Sequence, residues 1–159
     1  MINYSSVMAD ADRNQALKEL YDAFGLVEKP VPLATYEGSY CDEEVDVFNS
    51  TDWEYATYSD YLDGEEGAII CPPITKVYLL PRLFRMVMLR QHGKTNGAVD
   101  NLAITLETWP VEEDVECLLS DGQKAAIVTA WNHLDRTIYS PSGSHVGREL
   151  AKHWKTTQR

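Results

Sequence analysis

Apolar residues recur three and four positions apart in four separated stretches of this chain, and each stretch predicts an amphipathic helix. In the first, Leu17, Leu20, Tyr21 and Phe24 form the stripe, Asp10 or Asp12 supplies the N-cap and Gly25 the stop. The second runs from Ile74 to His92 on Leu80, Leu83, Phe84, Val87 and Met88, with Gly93 ending it and Pro81 marking a first turn or a kink. The third, Gln123 to about Tyr139, carries Ile127, Trp131, Leu134 and Ile138 behind a cap at Ser120 or Asp121, and Pro141 stops it. The last spans Ser144 to Lys155 with Val146, Leu150 and Trp154 on one face and a basic tail of Lys152, Lys155 and Arg159.

The intervening stretches are less regular. Pro30 and Pro32 hold an extended connector, and between Tyr36 and Gly67 the pattern supports one further helix, capped by Asp52 and carrying Trp53, Ala56 and Tyr61. Residues Lys94 to Val99 read as an exposed loop. Leu102 to Trp109, with Leu102, Ile104 and Leu106 alternating, reads as a short strand or a helix that Pro110 ends. The expected architecture is mainly α: one domain over residues 1–159, of about five helices, with a short strand or hairpin as the variant. A chain of 159 residues, 44% of them hydrophobic, can fill one core without disulfides or metal.

Charge changes this picture. The formal charge is −11 and the pI about 4.7, which argues against direct binding to nucleic acid or to anionic membranes. From Pro30 to Thr75 there is no lysine or arginine, while Glu37, Asp42, Glu43, Glu44, Asp46, Asp52, Glu54, Asp60, Asp63, Glu65 and Glu66 supply eleven carboxylates. The rest of the chain holds fourteen acids and fourteen bases, so this segment accounts for the whole net charge. Seven of the sixteen aromatic residues are interleaved with it: Tyr36, Tyr40, Phe48, Trp53, Tyr55, Tyr58 and Tyr61. Carboxylates steer association with a basic surface, and tyrosine and tryptophan add contact area at low entropic cost and stack on guanidinium. A plainer origin is a solvated face that keeps the protein soluble above an irregular aromatic core. Lys76, Arg82, Arg85, Arg90 and Lys94 follow without an acid among them, so internal pairing is a third use of the charge.

Catalytic signatures are sparse. Cys41, Cys71 and Cys117, with His92, His133, His145 and His153, form no CxxC, HxH or HExxH pattern, and neither phosphate-loop pattern nor a GxSxG elbow occurs. The acids of Asp60-Tyr-Leu-Asp63-Gly64-Glu65-Glu66 miss the alternating positions of a calcium loop, and the run reads as a turn. Ser140 to Gly147 reads as a helix-to-helix turn with Ser144 as N-cap, and Cys71, after Ile69 and Ile70, as a small buried hydrophobe. The sequence thus predicts no cofactor and no metal ligand. The odd cysteine count, and an amino terminus without a basic start and apolar run, point to a reducing, cytoplasmic setting.

The stretch Leu17 to Leu33, the run Tyr78-Leu-Leu-Pro-Arg82-Leu-Phe-Arg and the later Glu107-Thr-Trp-Pro110 resemble a family of small, acidic, helical bacterial proteins of unassigned activity. The resemblance spans residues 15 to 138. It implies an immunity-like role within bacterial conflict systems and transfers no catalytic residue; of the cysteine cluster associated with that family, Cys41 alone is represented here.

These observations lead to an inhibitor, an immunity protein that neutralises a toxin by covering a basic surface. The acidic aromatic segment 37–66 is the contact region, and Glu37, Asp42, Glu43, Glu44, Asp46, Trp53, Glu54, Tyr55 and Tyr58 are the contact residues. Arg82 and Arg85 are assigned structural roles. The closest alternative is an anti-CRISPR or other anti-defence protein that mimics nucleic acid. From other classes come a small enzyme whose metal or thiol site assembles from Cys71, His92, Cys117 and His133, and a subunit that needs an obligate partner or forms a homodimer.

Overall fold

The computed structural model describes residues 4–97, 99–137 and 145–157. The chain is mainly α, as expected. Among the described residues it forms α1 (Tyr4–Phe24), α2 (Asp42–Ser50), α3 (Tyr58–Asp63), α4 (Glu65–Ile70), α5 (Pro73–Met88), α6 (Leu102–Thr108), α7 (Glu113–Glu116), α8 (Asp121–Thr137) and α9 (Val146–Thr157), with 3-10 turns at Val99–Asn101 and Trp109–Val111. No strand occurs among these residues, so the ambiguous stretch at 102–109 resolves as helix. Backbone contacts divide the chain into two compact units, Met1–Leu26 with Leu119–Arg159, and Val27–Leu118.

In the first unit α8 packs against both α1 and α9. Ser120 and Gln123 form a reciprocal cap at the start of α8: Gln123 N–H donates to Ser120 Oγ (3.1 Å) and Ser120 N–H to Gln123 Oε1 (2.9 Å). Gln123 Nε2 also donates to the Ala23 carbonyl at the end of α1, which lacks an intrahelical donor. Helix α1 starts at Tyr4, well before the expected caps, so Asp10 and Asp12 lie within it on the exposed side. The expected cap Ser144, the last residues of the third predicted helix (Ile138, Tyr139), Pro141 and Arg159 lie outside the described residues. At the start of α9 the carboxylate of Asp135, from α8, takes the N–H groups of Val146 (3.2 Å) and Gly147 (2.9 Å), and its charge suits the positive end of the helix.

His133 of α8 is buried. Burial above all, then the neighbouring Arg136, pushes its pKa below the usual 6.5; Arg13 of α1 acts in the same direction and Asp12 of α1 opposes it. A histidine with a depressed folded pKa binds fewer protons folded than unfolded, so it costs nothing above about 6.5 and destabilises as pH falls from there through the folded value. Thermal melts from neutral to mildly acidic pH are expected to show this loss, with a shallower slope in His133→Gln; an unchanged slope in that variant would assign the loss to other groups.

The second unit is built around α5. Proline at its first position suits a helix start, and burial on nearly every side, with Leu79, Leu80, Leu83, Phe84, Met86 and Val87 fully enclosed, explains its mostly apolar composition. Pro81 lies inside α5, and Arg82 Nη1 donates to the Tyr78 carbonyl there (2.6 Å). The helix ends at Met88, four residues earlier than its period suggests. Arg90 takes a positive φ of 51°, and the carbonyls of Gln91 and His92 turn to accept the N–H groups of Tyr58 and Ser59 at the start of α3. Tertiary hydrogen bonding thus removes these residues from the helix.

The stretch from Asp52 to Ala56 is a turn, in place of the helix expected there. Its carbonyls are engaged elsewhere: the buried guanidinium of Arg85 donates to the oxygens of Trp53 (3.2 Å), Glu54 (2.5 Å) and Ala56 (2.9 Å), and its Nε to Gln91 Oε1 (3.1 Å). Asp52 accepts the N–H of Glu54 as a local turn, and the helix start falls instead at Thr57, which forms a capping box with Asp60. The run from Asp60 to Glu66, read as a turn, is two short helices meeting at Gly64. Helix α4 lies close against α2, with Gly67 facing the Phe48 side chain.

Candidate functional site

Net charge separates cleanly between the two units. Residues 27–118 hold eighteen acids and six bases, and the other unit holds seven acids and eight bases. Among these bases Lys76 pairs with Glu112 (2.7 Å) beside the Trp109 ring, Arg82 pairs with Glu54, and Arg85 is buried on backbone carbonyls. Of the eleven carboxylates in the acidic segment, Glu54 is the one in an ion pair among the described residues. Internal pairing therefore uses little of the segment's charge.

Helix α2 carries the centre of the surface. Val45 and Phe48 are buried, so the helical period turns Asp42, Glu43, Asp46 and Val47 outward. Hydrogen bonds extend this face in two directions. The Tyr36 hydroxyl donates to Asp46. On the other side Glu66 N–H donates to Glu44 Oε2 (3.0 Å), and Glu66 Oε1 accepts the N–H of Tyr40 (3.0 Å), which joins the Tyr36–Tyr40 loop to α2 and α4. Tyr40 is 97% exposed, and Ile69, one turn beyond Glu65 and Glu66 on α4, is 66% exposed.

The expected contact residues divide. Glu37, Asp42, Glu43 and Asp46 are exposed, Glu44 is half-buried in its bond to α4, Glu54 is exposed and held by Arg82, and Tyr55 is 84% exposed on the turn that Arg85 pins. Two assignments are corrected. Trp53 is 1% exposed, packed on Phe48 at a centroid distance of 5.3 Å with its ring N–H donating to the Phe48 carbonyl (3.0 Å). Tyr58 is likewise buried, stacked on Tyr61. Both rings serve the core, where their apolar area and polar tips are satisfied internally, and neither can reach a partner. The large exposed side chains that take their place are Tyr36, Tyr40, Val47 and Ile69. One local signal marks the tyrosines: they flank Glu37-Gly38-Ser39, a turn composition where the chain lies at the surface.

Other chemistry is thin. Among the described residues no group of three or more His, Cys, Asp or Glu side chains is placed to hold a metal ion. Burial pushes the Cys71 thiol up to about 12 against the pull of Lys76, so at neutral pH it is a protonated group bonded to the Ala68 carbonyl. Cys117 is exposed at the end of α7, and His92 Nδ1 lies 2.9 Å from the Gly97 carbonyl. No described helix is long and apolar enough to cross a membrane.

Comparison with protein-family models, curated proteins and solved structures returned no match.

Proposed function

We propose that this chain is an acidic protein-binding inhibitor of the cytosol, of the immunity type, that neutralises a toxin or other nucleic-acid-acting effector by covering its basic surface. The observation that carries this reading is the outward face of α2 and its flanks, where carboxylates without internal counter-charges surround exposed tyrosine and aliphatic side chains. Solubility alone would be served by charge; large apolar groups set among the charges are what an interface core needs. Proteins that bind nucleic acid present the complementary surface, strongly basic and accustomed to acidic groups. The three acids in the first turn of α2, Asp42, Glu43 and Glu44, also suit the positive end of that helix, an effect of about 0.3–1 kcal/mol each. That is a stabilising role compatible with contact.

Affinity capture from lysate with the wild-type chain and with Asp42→Asn/Glu43→Gln/Asp46→Asn tests the reading, with each chain first shown to be folded by its melting transition. A basic partner held by the wild type, released by rising salt and absent from the variant is the expected result. Equal retention by both chains, or no partner for either, overturns the assignment of this face.

A further inference from the structure

We infer that the face around Tyr40 is a seat for arginine and discriminates against lysine, so that the partner's contact surface is arginine-bearing and not merely cationic. This inference rests on the binding face proposed above and adds the identity of the groups that face receives.

A tyrosine ring left 97% exposed presents both faces to a ligand, and Tyr40 is fixed at its backbone by the Glu66 carboxylate, which is itself joined to Glu44 through its own N–H. The ring springs from a backbone N–H that lies 3.0 Å from Glu66 Oε1, and Ile69, three residues after Glu66 on α4, offers apolar surface on the same side of that helix for an aliphatic stem. Ring, carboxylates and apolar patch together match the parts of an arginine side chain: a flat, weakly hydrated guanidinium that stacks and donates in two directions, and a methylene stem. Lysine's compact, strongly hydrated ammonium uses the carboxylates but gains less from the ring.

The chain already contains this combination once. The Arg82 guanidinium lies 3.7 Å from the centre of the Tyr78 ring while pairing with the carboxylate of Glu54 and donating to the Tyr78 carbonyl. Tyr55, 84% exposed, is the other outward tyrosine of the segment, but the carboxylate of its neighbour Glu54 is already held by Arg82. Tyr36 is less suited, because its hydroxyl is committed to Asp46.

The test uses the full chain and two fluorescently labelled oligopeptides of equal length, one of arginine and one of lysine, titrated at low and at moderate ionic strength with anisotropy as the readout. The arginine peptide is expected to bind tighter by about two- to five-fold for each arginine seated. Tyr40→Leu is expected to reduce that preference and Tyr40→Phe, which keeps the ring, to preserve it. Since Tyr40 is almost wholly exposed, neither substitution disturbs the core. Equal affinity for the two peptides overturns the arginine seat while leaving the acidic binding face standing. A preference that survives in Tyr40→Leu moves the discrimination away from Tyr40 and overturns the inference as stated. Failure to bind either peptide removes both the seat and the face on which it rests.

Discussion

Arg85→Ala is expected to lower the unfolding free energy of the 27–118 unit by about 3–5 kcal/mol, the range found when one partner of a buried charged network is removed. Three backbone carbonyls, those of Trp53, Glu54 and Ala56, depend on this guanidinium, and Trp53 and Ala56 are buried residues whose oxygens water reaches poorly. Each buried acceptor left without a donor costs about 1–3 kcal/mol. Arg85→Lys is expected to recover only part of the loss, because a single ammonium cannot span three carbonyls arranged around a planar fork. Chemical denaturation measures the loss, and chymotrypsin reports its location, since cleavage after Tyr55 should accelerate as the 52–56 turn is released. A loss below about 1 kcal/mol would mean that the turn keeps its shape through its own contacts.

Gly67→Ala is the second large effect, expected at about 3 kcal/mol of destabilisation, toward the top of the usual range for overpacking. Helix propensity alone favours the substitution by about 0.5–1 kcal/mol. Packing reverses the sign: a Cβ at Gly67 would overlap the Phe48 side chain, with Phe48 Cδ1 only 2.6 Å away, and Phe48 is fully buried against Trp53 and has no room to swing. The close approach of α2 and α4 therefore requires glycine at this position. In the Phe48→Leu background the same substitution is expected to cost less, and a double-mutant cycle gives the coupling. Gly67→Ala that stabilises the protein would show that α4 can shift away from α2 without loss.

The proposed binding face depends on these two features. Arg85 fixes the turn that presents Tyr55, and Gly67 lets α4 approach α2 closely enough for Glu66 to reach both Glu44 and Tyr40. A partner-binding defect in either variant should therefore accompany the stability loss, whereas Tyr40→Leu should separate binding from stability.

What the sequence determined by itself is the set of long helices and the charge. Helices α1, α5, α8 and α9 repeat their apolar stripe over two or more turns, enough to override local ambiguity, and a cap at Ser120 or Asp121 marks the start of α8 by residue type alone. The excess of carboxylates between Pro30 and Thr75 needs no coordinates, nor does the expectation that an isolated Cys71 in an apolar stretch is buried. Only the tertiary structure decided which aromatic residues in the acidic segment are core and which are surface. Helices α2, α3 and α4 are six to nine residues long, too short to display a period and too short to be stable alone, so bonds from elsewhere fix their limits: Glu44 to Glu66, Arg85 to the 53–56 carbonyls, and the 91–92 carbonyls to the start of α3. Trp53 and Tyr40 have similar local surroundings of acids and small polar residues, yet one is enclosed by Phe48 and the other stands in solvent, because burial depends on what the rest of the chain brings to that side chain.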